Sequence, residues 1–331
     1  MIRLFDILSY RRAHGSEGER RMVKKHLTAY APTVFADDAG NPLAYVVDIA
    51  IGNILPPVLW CAHVDTVHAE SGPIRQVVKY DPAIGLAWKE DGEPLGADDG
   101  AGVWLLLEMM DAGVPGTYIF HRGEERGGIG SNAIAKIYKD WLASYKFAIA
   151  FDRKGTTSVI TKMSSGTCAS TVFATEFSRL LGPAYAPDAT GSFTDTANYR
   201  GSVPECTNVS VGYENEHTGG EMLDVEHLFW LKGRMIEVFK AGIPASLQPV
   251  RAPSSANDNV YEFSGYGKYA GYGRRYQAVN EFPTTAEGVM DMDFQDLCDS
   301  IQDADVEEVA RLLQDLAWAT MSEELNEDIG V

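Results

Sequence analysis

The apolar positions of this chain form short continuous runs, and few of them alternate with polar positions. Residues 57–62, 117–120 and 147–151 are three such runs, and a histidine or an acidic residue closely follows each. Runs of this length are typical of strands that are covered on both faces. Segments with helical spacing lie between them, at 101–111 and 129–142. This order predicts an α/β fold, a three-layer αβα arrangement around a mostly parallel, mixed central sheet.

The flanking segments predict further elements of the same fold. Residues 4–30 have helical periodicity that is interrupted at 15–18, where Ser16 is suited to cap a second helix. Segments 33–36 and 43–51 are rich in β-forming residues and predict a hairpin. After residue 152 we expect a strand at 157–161, a helix at 167–181, a Gly/Pro-rich loop at 182–192, a strand at 207–212 and a closing helix at 223–241.

A change of composition near residue 245 divides the chain. Residues 1–245 form the predicted main domain, 246–284 a Gly/Tyr-rich linker or packed loop, and 285–331 an acidic, partly helical C-terminal extension. Of the net charge of −19, the last segment carries −13, with fourteen acidic residues against the single base Arg311. Nucleic-acid binding is not expected, because phosphate contacts need clustered Lys and Arg.

The composition indicates a soluble globular protein, with 45% hydrophobic and 23% charged residues. No apolar run approaches the roughly 18 residues of a membrane-spanning helix, and the N-terminus becomes charged too early for a secretion signal. We therefore expect a cytoplasmic protein that does not bind a membrane. The four cysteines, at positions 61, 168, 206 and 298, contain no C-x-x-C pair and predict reduced packing residues.

Five short segments carry metal-ligand residue types, most of them at the ends of the apolar runs. Beyond the carboxyl ends of strands is where sites lie in open α/β sheets. A pair of co-catalytic zinc-like ions needs one bridging carboxylate plus terminal His and carboxylate ligands. This requirement predicts one metal bound by His63, Asp98 and Asp152, and a second bound by Asp98, Glu125 and His217, with Asp98 as the bridge.

Two neighbouring acids complete the predicted chemistry. Asp65, two residues after His63, is expected to accept the other imidazole N–H and so orient the ring. Glu124 precedes the ligand Glu125, so that one carboxylate can hold metal while the other takes a proton from the attacking water. We therefore assign Glu124 as the general base of a metal-assisted amide hydrolysis. Asp99 is interpreted as a charge at a helix N-terminus.

Other histidines are assigned polar or structural roles. His68 and His121 lie near ligand segments and could substitute for a ligand, but a polar contact is the preferred interpretation of each. Residues His14, His26 and His227 have helical neighbours and no ligand partners in sequence.

As an ordered set, these motifs resemble those of the dizinc exopeptidase superfamily, which includes peptidase T, bacterial zinc aminopeptidases and deacylases related to carboxypeptidase G. The resemblance covers roughly residues 4 to 240, and the ligand, bridge and base roles above match those it implies. Residues 1–245 would then be a metallopeptidase catalytic domain. The motifs are Cys61-Ala-His-Val-Asp-Thr-Val, Leu95-Gly-Ala-Asp-Asp-Gly-Ala-Gly, Gly123-Glu-Glu-Arg-Gly-Gly-Ile-Gly-Ser, Phe151-Asp152 and Glu216-His217-Thr.

Two departures from that pattern affect the expected specificity. Many relatives have Lys after the paired aspartates, where this chain has Gly100. Relatives of the peptidase T and deacylase type also insert a domain of about a hundred residues between the Asp and His ligands, whereas Asp152 and His217 are only 65 positions apart. We expect no inserted lid domain, and a layout close to the compact aminopeptidases. Tyr185, in the loop at 182–192, is a candidate oxyanion donor.

The leading functional hypothesis is an aminopeptidase that removes N-terminal residues from peptides, using two divalent ions. The ligand set favours Zn²⁺, while Co²⁺ and Mn²⁺ accept similar ligands. The alternatives are a deacylase or amidohydrolase acting on N-acyl amino acids at the same site, and a noncatalytic metal-stabilised interaction protein. Glu124 argues against the last, since a purely structural metal site needs no base. The sequence defines neither the substrate side chain that is preferred nor the oligomeric state, and it is compatible with a homo-oligomer.

Overall fold

The computed structural model describes residues 1–253, and the account below is of that part of the chain. It contains seven α-helices and fourteen strands. In chain order they are α1 (Ile2–Leu8), α2 (Glu17–His26), β1 (Thr33–Ala36), β2 (Pro42–Ile49), β3 (Val58–His63), β4 (Lys79–Asp81), β5 (Leu86–Trp88), α3 (Ala97–Asp111), β6 (Gly116–His121), α4 (Ile129–Ile137), α5 (Lys139–Leu142), β7 (Phe147–Arg153), β8 (Ser158–Ile160), β9 (Lys162–Met163), β10 (Gly166–Thr167), α6 (Thr171–Leu181), β11 (Ala186–Asp188), β12 (Glu205–Ser210), β13 (Tyr213–Glu214), β14 (Met222–Asp224) and α7 (Val225–Phe239).

The central sheet has eight strands, in the order β1-β2-β6-β3-β7-β12-β8-β11. Its middle is parallel, since β3 pairs in parallel with β6 and β7, and β7 pairs in parallel with β12. The hairpin of β1 and β2 joins it antiparallel at one side. This confirms the predicted α/β class and the mostly parallel mixed sheet. It also brings the carboxyl ends of β3, β6 and β7 to one edge.

Two apolar cores, one on each face of the sheet, explain the continuous apolar runs. Along β3, Trp60 belongs to one core together with Trp104 of α3, whereas Leu59 and Cys61 belong to the other together with Ile134 of α4. All six residues of β3 are buried. A strand buried on both faces has no polar side to alternate with, as the sequence pattern predicted.

Several element boundaries differ from the prediction. The helix expected at 167–181 begins only at Thr171, where the Ser170 hydroxyl accepts the Phe173 N–H, because residues 166–167 pair as β10 instead. The helix expected at 129–142 is divided at Tyr138. Within the predicted loop 182–192, β11 pairs in parallel with β8. The antiparallel sheet β13-β14-β5-β4 was not predicted, since strands of two or three residues leave too short a pattern to detect.

The remaining predictions about organisation concern the lid, the membrane and the tail. Residues 153–216 form β8 to β13 and α6, with no inserted lid domain among them. No helix of residues 1–253 is long and apolar enough to cross a membrane. Three of the cysteines, Cys61, Cys168 and Cys206, are free and buried. Cys298 and the acidic extension 285–331 lie outside the described residues, as does the linker 246–284 beyond residue 253.

Candidate metal centre

The sequence-predicted ligands come together at the carboxyl edge of the parallel strands. His63 is the last residue of β3, and Asp152 is the penultimate residue of β7. Glu124 and Glu125 follow β6, while Asp98 lies at the start of α3, where its backbone departs from helical geometry. His217 comes from the loop between β13 and β14. Five separate segments therefore converge on one site.

The first predicted ligand group is buried and compact. The Nε2 atom of His63 lies 3.1 Å from Oδ1 of Asp98 and 3.5 Å from Oδ1 of Asp152. One donor atom from each of the three residues lies within 4.8 Å of the other two. This spacing suits a single cation held by one imidazole and two carboxylates.

The second group shares Asp98 with the first. The Nε2 atom of His217 lies 3.1 Å from Oδ2 of Asp98 and 3.0 Å from Oε1 of Glu125. Asp98 thus directs one carboxylate oxygen toward each imidazole, which is the arrangement required of a bridging ligand. The His217 side chain is 48% exposed, so this half of the centre is accessible from solvent.

The electrostatics of the centre favour bound cations. Burial raises the pKa of Glu124 well above its usual value, and the charges of Asp152 and Glu125 add to this. The pKa of Glu125 is raised to about 7 by burial and by Asp98. Burial by itself would lower the pKa of His63, but Asp152 and Asp98 raise it well above normal. The raised pKa values show that the neighbouring carboxylates repel each other when all are ionised. Bound divalent cations would reduce this repulsion as protonation does, so the residues fit a metal centre.

Asp65 is placed differently from the expectation. The Nδ1 atom of His63 lies 3.1 Å from the backbone carbonyl oxygen of Asp65, and 3.7 Å from its carboxylate. The carboxylate instead accepts the backbone N–H groups of Gly123, Glu124 and Glu125 at 2.8, 3.2 and 3.2 Å. Asp65 therefore orients the ring through its main chain, while its side chain holds the turn that presents the glutamate pair.

Asp99 also differs from the simple helix-end charge that the sequence suggested. It is completely buried, and its carboxylate accepts the backbone N–H groups of His63 at 3.1 Å and Gly102 at 2.9 Å. The side chain thus connects the start of α3 to the end of β3, which fixes two ligand-bearing segments relative to each other.

Two further residues, missed by the sequence analysis, hold the turn before Asp98. The Glu221 carboxylate accepts the N–H groups of Gly96 at 2.9 Å and Asp98 at 3.0 Å. Arg12 donates to the carbonyl oxygens of Gly96, Val64 and Ile7 at 2.9 to 3.0 Å. Both side chains are almost completely buried. Neither residue lies in a recognisable motif, so no sequence signal marks them.

Arg12 also accounts for the glycine at position 100. A Cβ added to Gly100 would lie 2.9 Å from Nη2 of Arg12 and 3.0 Å from Cδ2 of Leu8. Burial lowers the pKa of Arg12 to about 10, against the opposing influence of Asp99 and Glu221, and the side chain keeps its positive charge. Many relatives have the positive charge of a Lys after the paired aspartates, and this chain does not. The guanidinium of Arg12 places a positive charge beside Gly100 instead.

The remaining candidates have partners outside the ligand groups. His68 bonds to Thr66 and Gln76, and His121 bonds to the Tyr199 hydroxyl at 2.6 Å, so neither belongs to a ligand group. The Tyr185 hydroxyl donates to the Ser210 carbonyl oxygen at 2.7 Å. Its hydroxyl is therefore engaged within the protein, which disfavours the oxyanion role suggested for it.

Comparison with known proteins gives this geometry a family context. Residues 46–202 match Peptidase family M28, a segment that contains His63, Asp98, Glu124, Glu125 and Asp152 and ends before His217. This match is to a family of the dizinc exopeptidase superfamily, the one that the sequence motifs resemble. The resemblance found in the sequence is thereby confirmed, as is the prediction of a metallo-exopeptidase. A search of curated protein sequences gives no match.

Solved structures of peptidases share the fold of this chain. Aminopeptidase PepT of Bacillus cereus and a tripeptidase of Staphylococcus aureus each superpose with a TM-score of 0.58 at 15% identity, over 72% of this chain and 96% of theirs. The TET1 peptidase of Pyrococcus horikoshii superposes with a TM-score of 0.53 at 14% identity, over 72% of this chain and 98% of its own. At such identities the likeness establishes the fold.

Proposed function

We propose that this metal-dependent peptidase is an aminopeptidase that removes N-terminal residues from peptides with two bound divalent ions. The observation that carries the proposal is Asp98, whose two carboxylate oxygens lie 3.1 Å from the imidazoles of His63 and His217 respectively. A site for one structural ion would need no such shared carboxylate. The solved structures of similar fold, described as an aminopeptidase and a tripeptidase, support the same substrate class.

In the proposed centre, His63, Asp98 and Asp152 would hold one ion, and Asp98, Glu125 and His217 the other. Bound ions of this kind polarise the substrate carbonyl and make water more acidic, and zinc is the favoured metal. Glu124 accepts the proton of the attacking water and delivers it to the leaving nitrogen, which departs as an amine. Its raised pKa suits the first of these steps, because the protonated carboxyl is readily formed in the buried site.

The fixed position of Glu124 supports this role. The Asp65 carboxylate accepts the backbone N–H groups of Gly123, Glu124 and Glu125. The turn that presents the base is thus hydrogen-bonded to the residue two positions after the ligand His63.

Glu124→Gln tests the assignment of the base. The variant keeps the shape and the metal ligands but cannot accept a proton, so we expect a loss of about 10²- to 10⁴-fold in kcat. Bound metal, measured by elemental analysis, should stay at two ions per chain. Turnover at the normal rate would contradict the base role, whereas loss of metal would mean that Glu124 is itself a ligand.

A substrate panel tests the reaction class. Protein loaded with Zn²⁺, Co²⁺ or Mn²⁺ is assayed against aminoacyl arylamides and against N-acyl amino acids. We expect cleavage of the aminoacyl set; cleavage of the acylated set alone would establish the deacylase instead. Cleavage of neither, with metal bound, would favour the noncatalytic alternative.

Assembly and location extend the proposal. The TET1 peptidase of similar fold is described as assembling into a tetrahedron or a large octahedral shell. By analogy we propose that this chain forms a homo-oligomer, which light scattering coupled to size exclusion would measure. A monomer at all accessible concentrations would contradict this. A cytoplasmic location stays a prediction.

A further inference from the structure

One β-hairpin carries a predicted ligand of the metal centre and also holds the turn that carries another. Strands β13 and β14 pair antiparallel, and the loop between them contains His217. We call residues 213–224 the metal-site hairpin. Just before β14, Glu221 accepts the N–H groups of Gly96 at 2.9 Å and Asp98 at 3.0 Å. Because β14 also pairs with β5, the hairpin is anchored in the small sheet.

The first residue of the metal-site hairpin, Tyr213, contacts a further predicted ligand, Asp152. The Tyr213 hydroxyl donates to Oδ1 of Asp152 at 3.1 Å. The same oxygen lies 3.5 Å from Nε2 of His63. Both Tyr213 and Asp152 are buried, so water cannot readily replace this hydrogen bond. The hairpin therefore bonds to both carboxylates of the first ion, to Asp152 through Tyr213 and to the backbone of Asp98 through Glu221.

The backbone of Asp152 is held by a second side chain, that of Asn208 in β12. The ladder between β7 and β12 becomes irregular after Asn208, and the pairing of β7 with β3 ends at Ala150. The Asn208 amide accepts the Asp152 N–H at 2.9 Å and donates to the Asp152 carbonyl oxygen at 2.6 Å. A side-chain amide has both a donor and an acceptor, so it can replace the peptide group of a neighbouring strand. The ligand is thus fixed by its main chain as well as by its carboxylate.

We propose that Tyr213 and Asn208 are positioning residues that hold Asp152 for the first ion, and that the metal-site hairpin sets the spacing of Asp152 and Asp98. This rests on the two-ion centre of the proposed function. Neither positioning residue would touch the ion. Hydrogen bonds to a ligand orient it before the ion binds, and their loss commonly lowers metal affinity by about 10- to 100-fold.

A role in packing alone is the alternative, because Tyr213 belongs to the larger apolar core. Tyr185 provides the comparison. It is buried in the same core, and its hydroxyl bonds to the Ser210 carbonyl oxygen at 2.7 Å and to His227 at 2.9 Å, neither of which is a predicted ligand. Replacement by Phe removes one buried hydroxyl in either case, and only at Tyr213 does this hydroxyl bond to a ligand.

The test measures zinc binding to wild type, Tyr213→Phe and Tyr185→Phe by competition with a chromophoric chelator. In Tyr213→Phe the affinity for one of the two ions should fall by about 10- to 100-fold, while Tyr185→Phe should keep both wild-type affinities. Urea unfolding of the metal-free proteins should show a lower midpoint for both variants, because each loses a buried hydrogen bond. His217→Ala removes a ligand of the second ion, so the loss caused by Tyr213→Phe should persist in that background.

The outcomes separate this inference from the proposed function. Wild-type zinc affinities in Tyr213→Phe would overturn the inference and leave the two-ion centre intact. An equal fall in both Phe variants would also overturn it, since the loss of any buried hydroxyl would then suffice. So would a loss that disappears in the His217→Ala background, because the first ion would not be the one affected. A wild-type protein that binds no zinc would overturn the two-ion centre itself.

Asn208→Ser is the second variant, and it decides if Tyr213→Phe fails to fold. The shorter side chain cannot reach both backbone groups of Asp152, so zinc affinity should again fall by about 10- to 100-fold. An unchanged affinity in Asn208→Ser would show that Asp152 needs no support from outside the ligand group, and would overturn the inference.

Discussion

Glu221→Gln should loosen the turn that presents the bridging carboxylate Asp98. The native carboxylate is 2% exposed and uses one oxygen for the Gly96 N–H and the other for the Asp98 N–H. Glutamine keeps the size of the side chain, but it has a single oxygen. One of the two backbone N–H groups must then face an amide NH₂, which is itself a donor.

The expected magnitude combines two opposing effects. Losing a hydrogen bond to a charged acceptor and leaving a buried N–H unpaired costs about 2 to 4 kcal/mol. Burial, with a contribution from Asp98, raises the pKa of Glu221, so removing its charge also relieves some unfavourable energy. We therefore expect a net destabilisation of about 1 to 3 kcal/mol. Because Glu221 positions a ligand without touching the ions, zinc affinity should fall by about 10- to 100-fold.

Two measurements on the purified protein check this. Urea unfolding of the metal-free protein gives the change in stability, and competition with a chromophoric chelator gives the zinc affinity. Glu214→Gln is the control, because Glu214 is exposed and lies on the neighbouring strand β13. Unchanged zinc affinity in Glu221→Gln would refute the positioning role, and an unchanged urea midpoint would refute the energetic argument as well.

Two further predictions concern metal removal and pH. Chelation should abolish activity and lower the thermal midpoint, because ions that bind only the folded state stabilise it; a midpoint that zinc does not raise again would contradict a metal centre. His68 is held neutral, its pKa lowered to about 3 by burial and by Arg12. Below about pH 6.5 the His68 imidazole takes up a proton in the unfolded chain but not in the folded chain, and this uptake favours unfolding. The free energy of unfolding is therefore highest above that pH and decreases as the pH falls. Between pH 7.5 and 5 the wild type should lose about 2 kcal/mol more stability than His68→Gln in urea titrations, and parallel losses would show that His68 does not contribute.

The sequence predicted the central part of the fold because it repeats one simple signal. A buried strand such as β3 is apolar throughout, and the polar residue that ends it must lie at the edge of the sheet. His63 and Asp152 could therefore be assigned both a strand end and a shared location. The small sheet of β4, β5, β13 and β14 has strands of only two or three residues. Its pairing depends on distant segments, and such contacts leave no local periodicity.

The supporting residues were unpredictable for a related physical reason. The metal ligands here are His, Asp or Glu, so residue type limits which positions in the sequence can be ligands. A backbone N–H or carbonyl group, by contrast, can form a hydrogen bond with a polar side chain from any part of the chain. Arg12 and Gly96 are 84 positions apart, and Glu221 and Gly96 are 125 apart. Once Arg12 occupies the space beside Gly100, a larger residue there would collide with the guanidinium. The departure at Gly100 and the buried Arg12 are thus two parts of one packing solution, and only the three-dimensional structure relates them.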